Sequence, residues 1–321
     1  MALRLIAASK TDVGKQRDQN EDNCYANVLE NDQVSAGLFI VADGMGGYHA
    51  GEVASKIAVD AIGEILSPVL GPTSSQPTLR LNRRKRGKGK AAGKGNERDD
   101  PAKTRPLAET QAESEEGESV EASENGGEEN EHETRQLEES LVTQHYADKL
   151  RDAIERSSEE IVTYGQKHPE ARGLGSTVTA ALAVGDQAFI ANVGDSRTYL
   201  LRDGKLERLT QDHSLVERLV EAGQISREEV YDHPNRNLIT RSLGAGRSEV
   251  EVDIYTEQLR PGDALLLCSD GLWEMVHDPQ LESILNEVSD PAEACDLLIE
   301  RANENGGEDN ITAVLVRCLE R

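Results

Sequence analysis

Several acidic side chains stand beside apolar runs of the kind that form buried strands. They are Asp43 after residues 38–42, Asp270 after residues 265–269, Asp309 before residues 311–316, and the pair Glu21 and Asp22 in RDQNED. A carboxylate delivered to the end of a buried strand is unfavourable unless it is paired or bound to a metal. Several converging carboxylates would repel one another without a cation. Their oxygens suit Mg²⁺ or Mn²⁺, whereas the sequence has no paired-His or CxxC motif for zinc.

Each of these sites, taken alone, also has an ordinary explanation. An Asp-Gly dipeptide is usually a turn, and Asp203-Gly204 inside LLRDGKLERL is predicted to be a two-residue hairpin. Asp43-Gly44 differs, because a glycine-rich stretch follows the apolar run and a helix is predicted to begin near Gly51. Glu21 and Asp22 could be a solvated acidic pair. The case for a metal site therefore rests on the ordered set.

Composition excludes several classes of function. A formal net charge of −25 disfavours binding to nucleic acid and to anionic membranes. No apolar stretch reaches the ~18 residues expected of a membrane span, and the N-terminus MALRLIAASK does not resemble a secretory signal. The four cysteines have no CxxC pairing and are interpreted as reduced core residues. These features predict a cytoplasmic protein.

Residues 70–140 are predicted to be a disordered, low-complexity insert. A basic, glycine-rich run, RLNRRKRGKGKAAGKG, is followed by an acidic, Ser- and Gly-rich stretch over 109–139. Such a segment cannot bury enough surface to offset the entropy of ordering it. The basic run could be a nucleic-acid or localisation patch. A solvated segment neutralised by its acidic neighbour is the favoured interpretation.

The rest of the chain alternates between helix and strand patterns. One stripe recurs at Val53, Ile57, Ala61 and Ile65 and is predicted to stop at Pro68. A similar stripe recurs at Leu150, Ile154, Ser157 and Ile161, and a last helix is predicted from an Asp290 N-cap. Apolar runs with hairpin-like spacing predict strands, for example over 177–184 and 188–201. Together they indicate an α+β fold with antiparallel sheets.

Seven motifs, taken in their order, carry a family resemblance. They are RDQNED, VADGMGG, GSTVTAAL, ANVGDSRTYL, LTQDHS, CSDGLWE and EDNIT. In this order they closely resemble the metal-dependent protein phosphatase family (PPM, also called type 2C) in its bacterial form. The resemblance covers essentially the whole chain except the insert, and implies one phosphatase domain over 1–321. The implied fold is a four-layer α-β-β-α sandwich with two central antiparallel sheets.

The resemblance also implies a role for each motif residue. Asp43 would bridge two Mn²⁺ or Mg²⁺ ions, the Gly44 carbonyl would hold one of them, and Asp270 and Asp309 would complete the other shell. Glu21 and Asp22 match an acidic pair that binds metal directly or through water. Further implied assignments are Asp195 for a third, weaker ion and Arg17 for the substrate phosphate. For Arg17 the ordinary alternative is a surface ion pair with Asp18 or Glu21.

The implied reaction is hydrolysis of phosphoserine and phosphothreonine in proteins, with a cognate serine/threonine kinase among the expected partners. Two metals about 3.5–4 Å apart can share a water and lower its pKa, so that it attacks phosphorus without a covalent phosphoenzyme. Some relatives have a histidine directly after the metal-binding Asp-Gly; here that position is Met45, and nearby His49 is interpreted as structural. Residues 211–246 resemble a mobile flap, whose role in substrate recognition is a hypothesis beside that of a plain surface loop.

Two other functions compete with this one. A catalytically inactive relative that binds phosphoproteins would be expected to lack metal aspartates, but Asp43, Asp270 and Asp309 are all present. An acidic calcium-binding scaffold would be expected to carry the D-x-D-x-D-G loop of an EF-hand, which the sequence lacks. Metal-dependent hydrolysis of an aryl phosphate would distinguish an active phosphatase from both of these alternatives.

Overall fold

The structure, a computed structural model, describes residues 3–30, 35–46, 49–70, 126–246 and 249–321. The chain divides into one unit of Met1–Thr73 with Glu139–Arg321 and a second of Ser74–Glu138. Within the second unit the described residues are 126–138, which form part of a helix. Both β-sheets and the candidate site belong to the first unit.

The strands form two antiparallel sheets. The strands are β1 Leu3–Asp12, β2 Asp22–Glu30, β3 Ser35–Met45, β4 Gly175–Ser176, β5 Val178–Val184, β6 Gln187–Val193, β7 Arg197–Arg202, β8 Lys205–Arg208, β9 Leu243–Gly244, β10 Asp253–Gln258, β11 Ala264–Cys268 and β12 Ile311–Glu320. One sheet has the order β1-β12-β11-β7-β8. The other has the order β10-β6-β5-β3-β4-β9, with β2 also paired to β3.

The helices lie on the outer faces of the sheets. They are α1 Ala50–Leu70, α2 Gly126–Lys167, α3 Leu215–Glu221, α4 Asp270–Trp273, α5 Asp278–Glu287 and α6 Pro291–Glu304. Alternation along β3 shows the layering. Phe39 and Val41 pack between the sheets with β11 and β12, whereas Leu38 and Ile40 pack against α1 and α2. Successive strand side chains point to opposite faces, so these patterns confirm the α-β-β-α sandwich.

Most of the predicted elements are confirmed, with differences at two helix ends and over 188–201. There the apolar run forms two strands, β6 and β7, which belong to different sheets. Helix α1 continues past Pro68 to Leu70, which is buried in the core. A proline near a helix C-terminus loses only its own N–H bond, and burial of the last turn outweighs that loss. Helix α2 begins at Gly126, so residues 126–140 of the predicted insert are helical. Six of the fifteen residues over 126–140 are glutamates, which favour helix without an apolar stripe. The remainder of the insert, 71–125, lies outside the described residues.

Local turn and cap chemistry agrees with the sequence. Asp203 and Gly204 connect β7 to β8 with positive φ values of 51° and 78°, as a type I′ hairpin turn requires. The Asp290 side chain accepts hydrogen bonds from the N–H groups of Ala292 and Glu293, both at 2.9 Å.

The four cysteines are free thiols. Among the described helices, none combines the length and apolar character that a bilayer crossing demands.

Candidate active site

Seven of the eight predicted site residues line one cavity of about 250 Å³. They are Arg17, Glu21, Asp43, Gly44, Asp195, Asp270 and Asp309. The eighth, Asp22, is buried directly beside them, opposite Asp43 in the β2–β3 pairing. We call the five aspartates Asp22, Asp43, Asp195, Asp270 and Asp309, with the cavity they surround, the acidic pocket. The distant motifs therefore meet at one edge of the sandwich.

Strand pairing fixes the first two aspartates. Asp22 begins β2 and Asp43 lies near the end of β3, so the register places them side by side. The Asp22 Oδ2 atom accepts hydrogen bonds from the hydroxyls of Ser269 and Thr312, each at 2.7 Å. The main chain of Asp43 is held by Thr177, whose hydroxyl accepts from the Asp43 N–H at 3.1 Å. Both sheets thus contribute to the rigidity of the pocket.

Asn310 ties together the loops that carry the other acidic groups. Its Nδ2 donates to the carbonyls of Val13 and Gln19 at 2.9 and 2.8 Å. Its Oδ1 accepts the N–H of Glu21 at 2.7 Å. Because Asp309 is its immediate neighbour, this amide fixes the β1–β2 loop against the start of β12. Sequence reasoning did not single out Asn310, although the EDNIT motif contains it.

Two glycines in the pocket allow close approach of backbone segments. A Cβ on Gly44 would lie 2.0 Å from the carbonyl oxygen of Gly51. A Cβ on Gly271, the residue after Asp270, would lie 2.1 Å from the carbonyl oxygen of Asn310. No side chain fits either position without moving the backbone. The Asp-Gly pairs at these two positions are therefore packing requirements of the site, unlike the exposed Asp203-Gly204 turn.

Burial and mutual repulsion raise the pKa values of the pocket carboxyls. Burial, opposed by hydroxyl hydrogen bonds, raises the pKa of Asp22 to about 6. Burial and then the charge of Asp212 raise the pKa of Asp195 to about 7. The pKa values of Asp43 and Asp270 lie well above their usual range, again through burial first and neighbouring carboxylates second. The groups around the pocket therefore do not stabilise the ionised form of all these carboxyls together.

Two carboxylate oxygens in the pocket lack any hydrogen-bond partner within the described ranges. They are Oδ1 of Asp22 and Oδ1 of Asp270. No group of three acidic, histidine or cysteine side chains among the described residues is already arranged to hold an ion. The Asp309 Oδ2 atom accepts a 2.6 Å hydrogen bond from Arg17. Binding of a cation would require these carboxylates to reorient.

The predicted flap contributes to the cavity wall. Asn237 and Ile239 line the cavity, and neither was singled out from the sequence. Arg236 and Arg241, two basic residues of this segment, are each paired with acidic groups. Arg236 bonds Glu274 and Glu308, and Arg241 bonds residues near the start of β10. Their charge is therefore largely compensated within the protein.

The same unit contains a larger cavity of about 740 Å³. Residues 227–236 and 274–279 form most of its wall. We assign the chemistry to the smaller cavity, because the predicted ligands and the unpaired carboxylate oxygens are there. Met45 also lines the smaller cavity, whereas His49 is exposed and its Nε2 lies 3.1 Å from the Gln19 amide nitrogen.

Comparison with known proteins identifies one matching family and several relatives. The family described as protein phosphatase 2C matches residues 83–311. The serine/threonine phosphatase stp of Listeria monocytogenes is 35% identical over 312 residues, covering 97% of this chain and 95% of that protein.

Solved structures give a consistent result. The Mycobacterium tuberculosis serine/threonine phosphatase PstP/Ppp superposes with a TM-score of 0.69 at 30% identity, covering 100% of both chains. The catalytic domain of a PstP phosphatase in complex with two manganese ions superposes with a TM-score of 0.68 at 28% identity, covering 99% of this chain and 100% of that one.

Proposed function

This chain belongs to the protein phosphatase 2C family, and we propose that water attacks the substrate phosphorus directly, without a covalent phosphoenzyme. The chain is a metal-dependent serine/threonine phosphatase. The observation that carries the proposed site is the acidic pocket itself: buried, mutually repelling carboxylates with unpaired oxygens. Buried carboxylates of this kind are stable when cations neutralise them.

The residues of the acidic pocket fit hard divalent cations. The unpaired Oδ1 atoms of Asp22 and Asp270 are available as ligands. The donors are oxygens, which favour Mn²⁺ or Mg²⁺. Gly44 lines the same cavity as the carboxyl groups of Asp43, Asp270 and Asp309. The ligands that we propose for two ions are Asp43, the Gly44 carbonyl, Asp270 and Asp309, with Glu21 and Asp22 assisting and Asp195 reserved for a third, weaker ion.

When bound, such ions supply Lewis-acid chemistry, because they favour the ionised form of water and neutralise phosphoryl charge. The chain's own residues set the geometry. Arg17 lines the cavity with 51% of its side chain exposed, so a phosphate can reach it. Its bond to Asp309 uses one N–H of Nη2, and a guanidinium has five donors in a planar fork. We propose that Arg17 binds two phosphoryl oxygens and orients phosphorus for attack.

The leaving oxygen of the serine or threonine must gain a proton. Met45 lies in the cavity wall, and its thioether has no proton to give. Met45 therefore cannot act as the general acid that a histidine would be at this position. The proposed substrates are phosphoserine and phosphothreonine proteins, among them a cognate serine/threonine kinase.

Asn237 and Ile239 place the flap beside the cavity, and we propose that residues 211–246 contribute to peptide preference. Exchanging this segment with that of a relative should change the ranking of phosphopeptides. An unchanged ranking would show that the flap is only a surface loop.

The test of the proposed function is hydrolysis of a phosphothreonine peptide and an aryl phosphate, with chelator and after adding Mn²⁺ back. We expect turnover to disappear with chelator and return with Mn²⁺. A protein that binds the phosphopeptide but never hydrolyses it would instead be an inactive binding module. Hydrolysis in water enriched in ¹⁸O should place one labelled oxygen in the released phosphate, and single-turnover reactions should leave no phosphate on the protein.

A further inference from the structure

Arg197 is a buried arginine beside the acidic pocket, and the proposed reaction does not use it. It begins β7, two residues after Asp195, and is 4% exposed. Its Nε donates to Asp212 Oδ1 and Oδ2 at 3.0 and 3.1 Å, and its Nη2 donates to Oδ2 at 2.6 Å. Its Nη1 donates to the Tyr199 hydroxyl at 3.0 Å. A guanidinium held in this way has neither the exposure nor the freedom to bind a substrate phosphate.

The same guanidinium stacks on the only tryptophan in the chain. Its Cζ atom lies 3.4 Å from the centroid of the Trp273 ring, and Trp273 is 2% exposed. A cation over an aromatic face is favourable, and more so when both are shielded from water. Because Asp212 and Tyr199 fix the guanidinium, the guanidinium in turn fixes the plane and position of the indole.

Trp273 connects this stack to two of the proposed metal ligands. It is the last residue of α4, the single helical turn that begins with Asp270. Its indole N–H donates to the backbone carbonyl of Asp195 at 3.0 Å. Asp195 and Asp270 both line the cavity, although they lie in separate sheet connections. The indole is therefore a direct link between the backbone segments that carry them.

We propose that Arg197 is a positioning residue: by clamping Trp273, it fixes the backbone segments that carry Asp195 and Asp270 relative to each other, so that both side chains can turn toward one divalent cation. Groups that orient metal ligands typically change metal affinity by about 10–100-fold when they are altered. Arg197 touches neither substrate nor metal in this account. Its effect on catalysis passes entirely through the placement of the two carboxylates. The inference rests on the proposed function, because it needs a cation in the acidic pocket.

Arg208, itself paired with Glu217, holds Asp212, the counter-ion of Arg197, in place. Arg208 donates to Asp212 Oδ2 at 3.2 Å and to Glu217 Oε1 at 2.7 Å. Glu217 lies in α3, the helix of the flap. We call Arg197, Asp212, Arg208 and Glu217 the arginine network. Two positive and two negative side chains alternate along it, so each charge has an opposite neighbour.

The chain provides a matched control at the other end of the same strand. Arg202 ends β7 and makes a similar two-pronged contact with Asp263, at 3.1 and 2.7 Å. It is more exposed than Arg197, but it also bonds a buried aspartate. Arg202→Lys and Arg197→Lys therefore remove the same planar fork while retaining the charge. Only Arg197→Lys removes a stack on Trp273.

The experiment measures Mn²⁺ affinity by calorimetry in the full chain and in Arg197→Lys, Trp273→Phe and Arg202→Lys. We expect the Mn²⁺ dissociation constant to rise about tenfold or more in the first two variants and to stay unchanged in Arg202→Lys. Turnover of an aryl phosphate by Arg197→Lys should fall at limiting Mn²⁺ and recover at saturating Mn²⁺. Because Trp273 is the only tryptophan, its emission should shift in Arg197→Lys but not in Arg202→Lys.

Two results would overturn the inference. One is an unchanged Mn²⁺ dissociation constant in Trp273→Phe, which removes the indole N–H without disturbing the ion pair. The other is an equal rise in Arg197→Lys and Arg202→Lys, which would indicate a general loss of stability. Should the unaltered protein itself bind no Mn²⁺, the proposed function fails as well. If it binds Mn²⁺ and the variants bind equally well, only the role of Arg197 fails.

Discussion

The acidic pocket and the arginine network are both buried and both charged, yet their charges are handled differently. In the network, Asp212 has both carboxylate oxygens hydrogen-bonded to arginine, and Arg208 also pairs with Glu217. In the pocket, Asp22 and Asp270 each keep an oxygen without a partner among the described residues. The nearby cation Arg17 is half exposed and pairs with Asp309.

The difference separates structural charge from functional charge. A buried ion pair whose members satisfy each other needs no ligand, and removing one member leaves the other unpaired. Buried carboxylates that repel one another are unfavourable until a cation binds, so they mark a binding site. The two regions should therefore respond in opposite ways when an aspartate is neutralised.

The largest expected difference is in activity. Asp43→Asn and Asp270→Asn should each lower turnover of an aryl phosphate by about 10³-fold or more, because each removes a proposed metal ligand. Asp203→Asn, in the exposed hairpin turn, is the matched control and should retain full activity. Steady-state kinetics at saturating Mn²⁺ measures all three. Retained turnover in both pocket variants would remove the basis for the metal assignment.

The next difference is in stability. Asp212→Asn should lower the free energy of unfolding by about 3–5 kcal/mol, because it leaves Arg197 buried without its counter-ion. Asp43→Asn should leave the chelated protein as stable as the parent or more stable, because burial and neighbouring charges already disfavour the Asp43 carboxylate. Urea unfolding in chelator measures both. Equal destabilisation by the two substitutions would contradict the contrast between the regions.

A smaller effect should appear as pH changes. The pKa of Asp22 in the folded protein, about 6, lies above the ~3.9 of an unfolded aspartate. The folded state therefore binds this proton more tightly, and the associated stability is present below pH ~4 and lost as pH rises through about 6. In chelator, the parent should lose on the order of 1–3 kcal/mol relative to Asp22→Asn between these limits. If the difference in unfolding free energy between the parent and Asp22→Asn stayed constant across that range, the pKa of Asp22 would not be raised in the folded protein.

The smallest effect is expected outside both regions. A variant in which a short Gly/Ser linker replaces residues 71–125 should hydrolyse the aryl phosphate within about twofold of the parent, because long surface insertions are tolerated thermodynamically. Its Mn²⁺ requirement should also be unchanged. A loss comparable to that of Asp43→Asn would mean that the insert acts at the pocket.

The ordered motifs predicted the fold and the residues that gather at the cavity. The places of Asp43 and Asp270 were readable because the apolar run before each of them stops at an Asp-Gly pair, although β3 itself continues to Met45. The end of α1 was not, because burial of Leu70 depends on tertiary packing that overrides the signal of Pro68. The start of α2 was also missed, because residues 126–140 favour helix by their propensity but show no apolar periodicity.

The supporting residues of the site were harder to predict. Trp273 bonds the carbonyl of Asp195 across 78 residues of sequence, and Asn310 bonds that of Val13 across 297. Such partners follow from the packing of the two sheets, which spacing along the chain does not encode. One local signal was present: Arg197 begins the strand that carries the apolar residues 199–201, and an arginine buried beside them requires a counter-ion.

The most direct test of the central claim is the number of Mn²⁺ ions that the unaltered protein binds at equilibrium. Neutralising the acidic pocket should take at least two ions per chain, and Asp270→Asn should lose at least one of them. Calorimetric titration of metal-free protein gives this number together with the affinity. Absence of saturable Mn²⁺ binding, or the same stoichiometry in Asp270→Asn, would contradict the assignment of these buried carboxylates as a cation site.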